Sequence, residues 1–135
     1  MDVSINNSEV MKNLQEFMEE VLPERLEQAL ERACLLVENN AKKDCPVDDG
    51  QLRNSITHKV KDLEGRIGSN VEYAPYVEIG TGIYSTQGTG RQTAWTYKDA
   101  EGKYHTTVGM KSKPYLKPAA EEHISEIQDC FKGML

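Results

Sequence analysis

Three cysteines and three histidines are the side chains of this 135-residue chain best suited to nucleophilic or metal chemistry, and their spacing serves neither well. A catalytic thiol needs a base beside it and a third group to orient that base. Cys34 falls within an apolar helical stripe, Cys130 within a C-terminal helical stretch, and Cys45 stands before Pro46 at a helix end. Buried cysteine ordinarily acts as a small hydrophobe, so Cys45 with His58 as base is the one hydrolase reading worth stating. His58, His105 and His123 have no Cys or His neighbour at the spacing of two to five residues that closes a zinc site. His123 and Glu126 share a helix face but offer two ligands only. Gly80, Gly82, Gly88 and Gly90 depart from both phosphate-loop patterns: five residues separate Gly82 from Gly88, Thr89 follows where Lys should, and Ser85 replaces a third glycine. The carboxylates of the first forty residues lie beside Lys12, Arg25 and Arg32, the mark of a solvated helix face. The residues therefore predict no catalytic, cofactor or metal site, and a protein that is not an enzyme.

The elements that carry these residues can be read from periodicity. Between Ser8 and about Lys43, apolar residues at Val10, Leu14, Phe17 and Val21, and then, after a shift, at Leu22, Leu26, Leu30, Ala33, Val37 and Ala41, keep the three-and-four spacing of a helix. Pro23 predicts a kink or restart near Leu22. An unbroken helix there would span about 50 Å at 1.5 Å per residue, long for one domain, so part of its apolar face is expected to serve another subunit. Asp44 to Gly50 ends the helix, with a short helical turn over Gln51–Asn54. Ser55–Val60 and Arg66–Asn70 read as a hairpin about Asp62–Gly65, with Ile56, Val60 and Ile67 inward. Tyr73–Gly82 reads as a tight passage back across the core. A second hairpin joins Thr93–Tyr97 to Tyr104–Val108, where Trp95, Tyr97 and Tyr104 are expected to pack across strands. A last helix starts near Pro118, with Ala119, Ile124, Ile127 and Phe131 inward. The fold class expected is α+β over residues 1–135 as a single domain: a long N-terminal helix and a C-terminal helix on a small antiparallel sheet, with a long loop or hairpin insert.

Charge bounds the partners. Residues 1–50 carry five basic and twelve acidic side chains, net −7, residues 51–118 ten and six, net +4, and the remainder one and four, net −3. The overall −6 argues against a chain devoted to gripping phosphates, although the basic middle and its aromatics keep a nucleic-acid-binding module as an alternative. Identical copies could attract one another end to middle. The N-terminus lacks an apolar leader and no stretch approaches a membrane span, so a reduced cytoplasm and no membrane are expected.

Three strings remain: Cys45-Pro-Val-Asp-Asp-Gly-Gln-Leu-Arg-Asn-Ser-Ile56, Tyr73-Ala-Pro-Tyr-Val-Glu-Ile-Gly-Thr-Gly82 and Pro114-Tyr-Leu-Lys-Pro-Ala119. In this order, with Gly68 between the first two, they resemble the gene-ten-like tail-component family of siphophages and prophages, whose blocks read P-V-D-T-G-x-L-R-x-S, Y-A-x-Y-V-E-x-G-T and P-F-L-R-P-A. Asp49, Tyr115 and Lys117 depart from the pattern, and lysine lacks the bidentate fork of arginine at the last position. Residues 90–109 resemble the insert that many members carry.

The resemblance implies a structural virion protein in head-tail joining or tail completion: one subunit of a homo-oligomeric neck ring between neighbouring neck and tail proteins. DNA would pass through the ring without sequence-specific binding, and the protein would reside in the host cytoplasm during assembly and then in the virion. It also marks the residues expected to build motifs or interfaces: Asp48, Gly50, Leu52, Arg53, Tyr73, Tyr76, Glu78, Gly80, Gly82, Arg91, Trp95, Pro114, Leu116 and Pro118. Among these and their neighbours, Asp48, Asp49 and Gly50 would cap and turn the chain, Arg53 could hold a carboxylate such as Glu78 or an adjoining subunit, and the long loop from Ile83 to about Met110 is the natural contact arm.

Overall fold

A helical rod dominates the computed structural model, which describes residues 7–47 and 50–133. The rod comprises α1 (Asn7–Glu16), a π turn (Phe17–Val21) and α2 (Leu22–Asp44), and runs roughly 55 Å at 1.5 Å per residue. Pro23 has no N–H to offer the carbonyl four residues back, and its ring crowds that carbonyl. The chain widens instead, and the Leu22 N–H reaches the Phe17 carbonyl five residues back. The break expected near Leu22 is thus a π turn through which the rod continues.

The apolar stripe of the rod has two fates. Its lower half buries Ala29, Ala33, Cys34, Val37 and Ala41, small side chains that let other elements approach closely. Its upper half, with Val10, Met11, Leu14, Met18 and Val21, is exposed. Against the lower half lies a hairpin of β1 (Thr57–Lys61) and β2 (Glu64–Gly68), paired antiparallel with His58 opposite Ile67 and Val60 opposite Gly65. These four half-buried residues face inward, while Lys59, Lys61 and Arg66 face out. Asp62 and Leu63 alone make the turn, both at positive φ, which matches the right-handed twist of the strands. Gly65, expected in the turn, sits in β2 instead. A Cβ there would overlap the Cys34 sulfur, so glycine is what lets the strand reach the helix.

Between the rod and the C-terminus come α3 (Gln51–Ser55), α4 (Ala74–Ile79), a 3-10 turn (Gly82–Tyr84), a second hairpin of β3 (Trp95–Lys98) and β4 (Tyr104–Thr107), and then α5 (Leu116–Glu121) and α6 (Ile124–Asp129). The architecture is mixed α+β as expected, with the strands in two separate two-stranded sheets. Three details correct the sequence reading. Tyr73–Gly82 contains a short helix, because Pro75 fits the first helical turn and its missing N–H would be unpaired there. The final helix breaks at Glu122–His123, so α6 brings Ile127 to the core and leaves Ile124 exposed. Trp95, Tyr97 and Tyr104 do not pack together: Tyr97 stacks on His105 at 5.4 Å, and Tyr104 lies opposite Lys98 on the other face.

Candidate assembly site

The three motif strings are far apart in the chain and meet in one core. Cys45 and Leu52 from the first, Ala74 from the second, and Tyr115 and Ala119 from the third are all buried in the cluster that also holds Val37, Ala41 and Ile56. Tyr115 is its largest member and is fully enclosed. Its hydroxyl donates to the Ala74 carbonyl at 3.4 Å, which ties the third string to the second. Burial, and then the nearby Glu78 carboxylate, push the Tyr115 phenol up to about 12, so it stays a neutral donor.

Glu78 completes this junction. Its carboxylate accepts the backbone N–H groups of Tyr115 at 2.7 Å, Leu116 at 3.0 Å and Lys117 at 2.8 Å. A helix begins with four N–H groups that lack intrahelical partners. Glu78 takes three of them at the start of α5, and Pro118 removes the fourth because proline has none. The conjunction of Glu78 with Pro114-Tyr-Leu-Lys-Pro118 is therefore a capping arrangement made across 37 to 39 residues of sequence.

Arg53 does not pair with Glu78. Its Nε donates to the Lys42 carbonyl at 3.0 Å, satisfying an acceptor near the end of α2. Gly50 adopts a left-handed φ of 80° as it starts α3, and Leu52 is buried. Asp48 lies outside the described residues, as does its expected capping role. Tyr73 and Tyr76 point outward, with Tyr76 56% exposed, and the Tyr73 hydroxyl donates to Gln51 at 3.5 Å. Pro114 is exposed, whereas Leu116 and Pro118 are half-buried.

The insert springs from a stem that only glycine permits. The Thr81 N–H donates to the Met110 carbonyl at 2.9 Å, and the Ile83 N–H to the Val108 carbonyl at 3.0 Å. Here the two chain ends cross so closely that a Cβ at Gly82 would overlap the Val108 carbonyl, one at Gly90 the Gly82 carbonyl, and one at Gly109 the Thr81 carbonyl. Gly80 at φ 79° has backbone atoms of Ser112 and Tyr84 2.9 Å from where a Cβ would stand. Beyond the stem, the Arg91 guanidinium lies 5.8 Å from the Trp95 ring, Lys98 5.8 Å from Tyr104 and Lys111 5.9 Å from Tyr84. The insert thus presents aromatic rings alternating with cations.

Burial raises the Cys45 thiol, the opposite of the lowered value an attacking thiolate needs. His58 is engaged elsewhere: Nε2 is 2.5 Å from the Glu31 carboxylate and Nδ1 is 3.4 Å from that of Glu38, which is within ion-pair range but off the line of a hydrogen bond. Among the described residues, no three His, Cys, Asp or Glu side chains gather as metal ligands, and no helix is long and apolar enough to cross a membrane. The sequence missed the roles of Tyr115, Thr81 and Gly109. An aromatic between two prolines was the available signal for the first, and only the crossing of the stem reveals the others.

Comparison with known proteins gives one match. A family model described as "Bacteriophage HK97-gp10, putative tail-component" matches residues 8–80, just over half of the chain. Among curated proteins and among solved structures, nothing matches.

Proposed function

Since the chain belongs to the family of HK97-gp10-like bacteriophage tail components, we propose that it acts in head-tail joining or tail completion, as one subunit of a homo-oligomeric ring at the neck. The observation that carries this reading is the division of the molecule into one packed junction and two limbs that the core does not cover. The three motif strings meet in the junction, through Tyr115 and Glu78. The limbs are the upper rod and the glycine-stemmed insert, and both display apolar side chains that the chain itself does not cover. Two different uncovered surfaces on one subunit suit a head-to-tail contact, which closes into a ring when the rotation allows.

The ring would sit between neck and tail neighbours in the virion after assembly in the host cytoplasm, and DNA would pass through it. The outward cations of β1 and β2 suit passage without sequence recognition: Lys59 and Lys61 offer diffuse charge, while Arg66 is already held by Glu64 at 3.1 Å. The test is deletion of the gene in the parent phage, followed by electron microscopy and an infectivity count. Separate heads and tails, or joined particles that do not infect, are expected. Normal infectious particles would overturn the proposal.

A further inference from the structure

The two limbs are complementary in chemistry. Among the described residues, the rod from Asn7 to Val21 makes its substantial packing only with its own continuation, yet it carries an apolar stripe of Val10, Leu14, Phe17 and Val21, of which Val10, Leu14 and Val21 are exposed. Met11, Leu14 and Met18 line a shallow face there, rimmed by Lys12 and Glu19. This arm bears Glu9, Glu16, Glu19 and Glu20 against Lys12 alone, net −3. The insert, residues 82–113, bears Arg91, Lys98, Lys103, Lys111 and Lys113 against Asp99 and Glu101, net +3. Asp99 is also occupied, because it accepts the backbone N–H groups of Glu101 and Lys103 and pairs with His105 at 2.7 Å. The insert's cations lie over exposed rings, Tyr104 being 73% exposed, so its surface is at once apolar and positive.

We infer that the acidic apolar arm of one copy docks on the aromatic, basic insert of the next copy. The inference rests on the ring reading above and names its interface. An arm that ended on a second arm would bring like charges together, and the basic outer face of β1 and β2 offers charge without apolar cover. The insert supplies both, and its four-glycine stem fixes where it projects. The contact joins unlike surfaces and leaves the first copy's insert and the second copy's arm free, as ring growth requires. Opposite charge on two apolar surfaces would set the register and speed encounter, and burial of the stripe would hold the contact.

The test places a photo-reactive amino acid at Met18 in the full chain, in cells assembling the parent particle, and reads cross-linked peptides by mass spectrometry. Cross-links from Met18 to residues 82–113 of a second copy are expected. Their yield should fall several-fold in Glu16→Lys/Glu20→Lys, and likewise in Lys98→Glu/Lys111→Glu, and recover when the two pairs are combined. Cross-links between copies that avoid the insert would overturn the docking while leaving the ring. Cross-links from Met18 only to other phage proteins would also overturn it and assign the arm to a neck or tail neighbour. Absence of any contact between copies, by this probe and by size of the isolated neck, would overturn the ring reading as well.

Discussion

Glu78 concentrates more of the fold than any other polar side chain, because three backbone donors converge on one carboxylate. A helix cap is worth about 1 kcal/mol, and hydrogen bonds to a charged acceptor about 1.5–3 kcal/mol. Glu78→Ala should therefore destabilise the chain by about 2–3 kcal/mol, measured by urea unfolding. Glu78→Gln should fall between that and wild type, since its amide oxygen can still serve the Tyr115 and Leu116 N–H groups while its NH₂ opposes that of Lys117. Equal stability of all three proteins would refute the cap. His58 gives a second prediction, in pH. Its hydrogen bond to Glu31 raises its pKa, burial opposes the rise, and the Glu31 and Glu38 charges add to it; Lys42 lies 3.9 Å from the other oxygen of Glu38. A folded pKa above the unfolded value means that the stabilisation is complete below about 6.5 and is lost as pH rises through the folded value. Thermal unfolding should therefore show the native protein losing stability from slightly acidic to slightly alkaline pH. His58→Gln should flatten the change across that window, and an unaltered slope would remove His58 as its source.

At the scale of elements, the insert is separable from the core, and the chain's one tryptophan, Trp95, lies in it. Gly82→Ala should force the stem apart, since φ is +60° and the new Cβ would meet backbone at Val108 and Gly109, which cannot give way as a side chain would. The expected outcome is a local loss of about 1–3 kcal/mol. Trp95 emission should shift well below the temperature at which the helical signal in circular dichroism melts. Coincident transitions would mean that insert and core unfold as one. These elements differed in how far they could be read beforehand. The rod is legible because apolar positions keep the three-and-four spacing on either side of a shift near Pro23, and both hairpins because turn residues punctuate them. The helix Ala74–Ile79 is not, since six residues are too few for a period and their Pro, Tyr and Gly neighbours look like a turn. The motif strings mark residues but do not give their partners. Arg53 and Glu78 suggested a salt bridge by charge, whereas each is used by backbone groups at a helix end, and nothing in sequence order announces a backbone partner. His58 was weighed against Cys45 when its partners are Glu31 and Glu38, seven residues apart and so on one face of α2.

For the whole molecule, the question is why a small domain should keep a rod of this length when its core uses only the half from Ala29 onward. A stripe at Val10, Met11, Leu14 and Met18 contributes nothing to folding where nothing covers it, and it raises the risk of unwanted association. Folding stability and assembly should accordingly come apart in one variant. Replacing these four residues with glutamine keeps good helix formers in place and touches no buried contact. Surface changes of this kind stay within about 0.5 kcal/mol each, so the unfolding midpoint should move by a few degrees at most. Particle joining should nevertheless fail, as is expected on deletion of the gene, because the surface removed is the one a partner would bury. A large drop in midpoint would show that the stripe serves the fold of its own chain. An unchanged midpoint with fully infectious particles would show that the arm has no partner, and the assignment of assembly contacts would then shift to the insert alone.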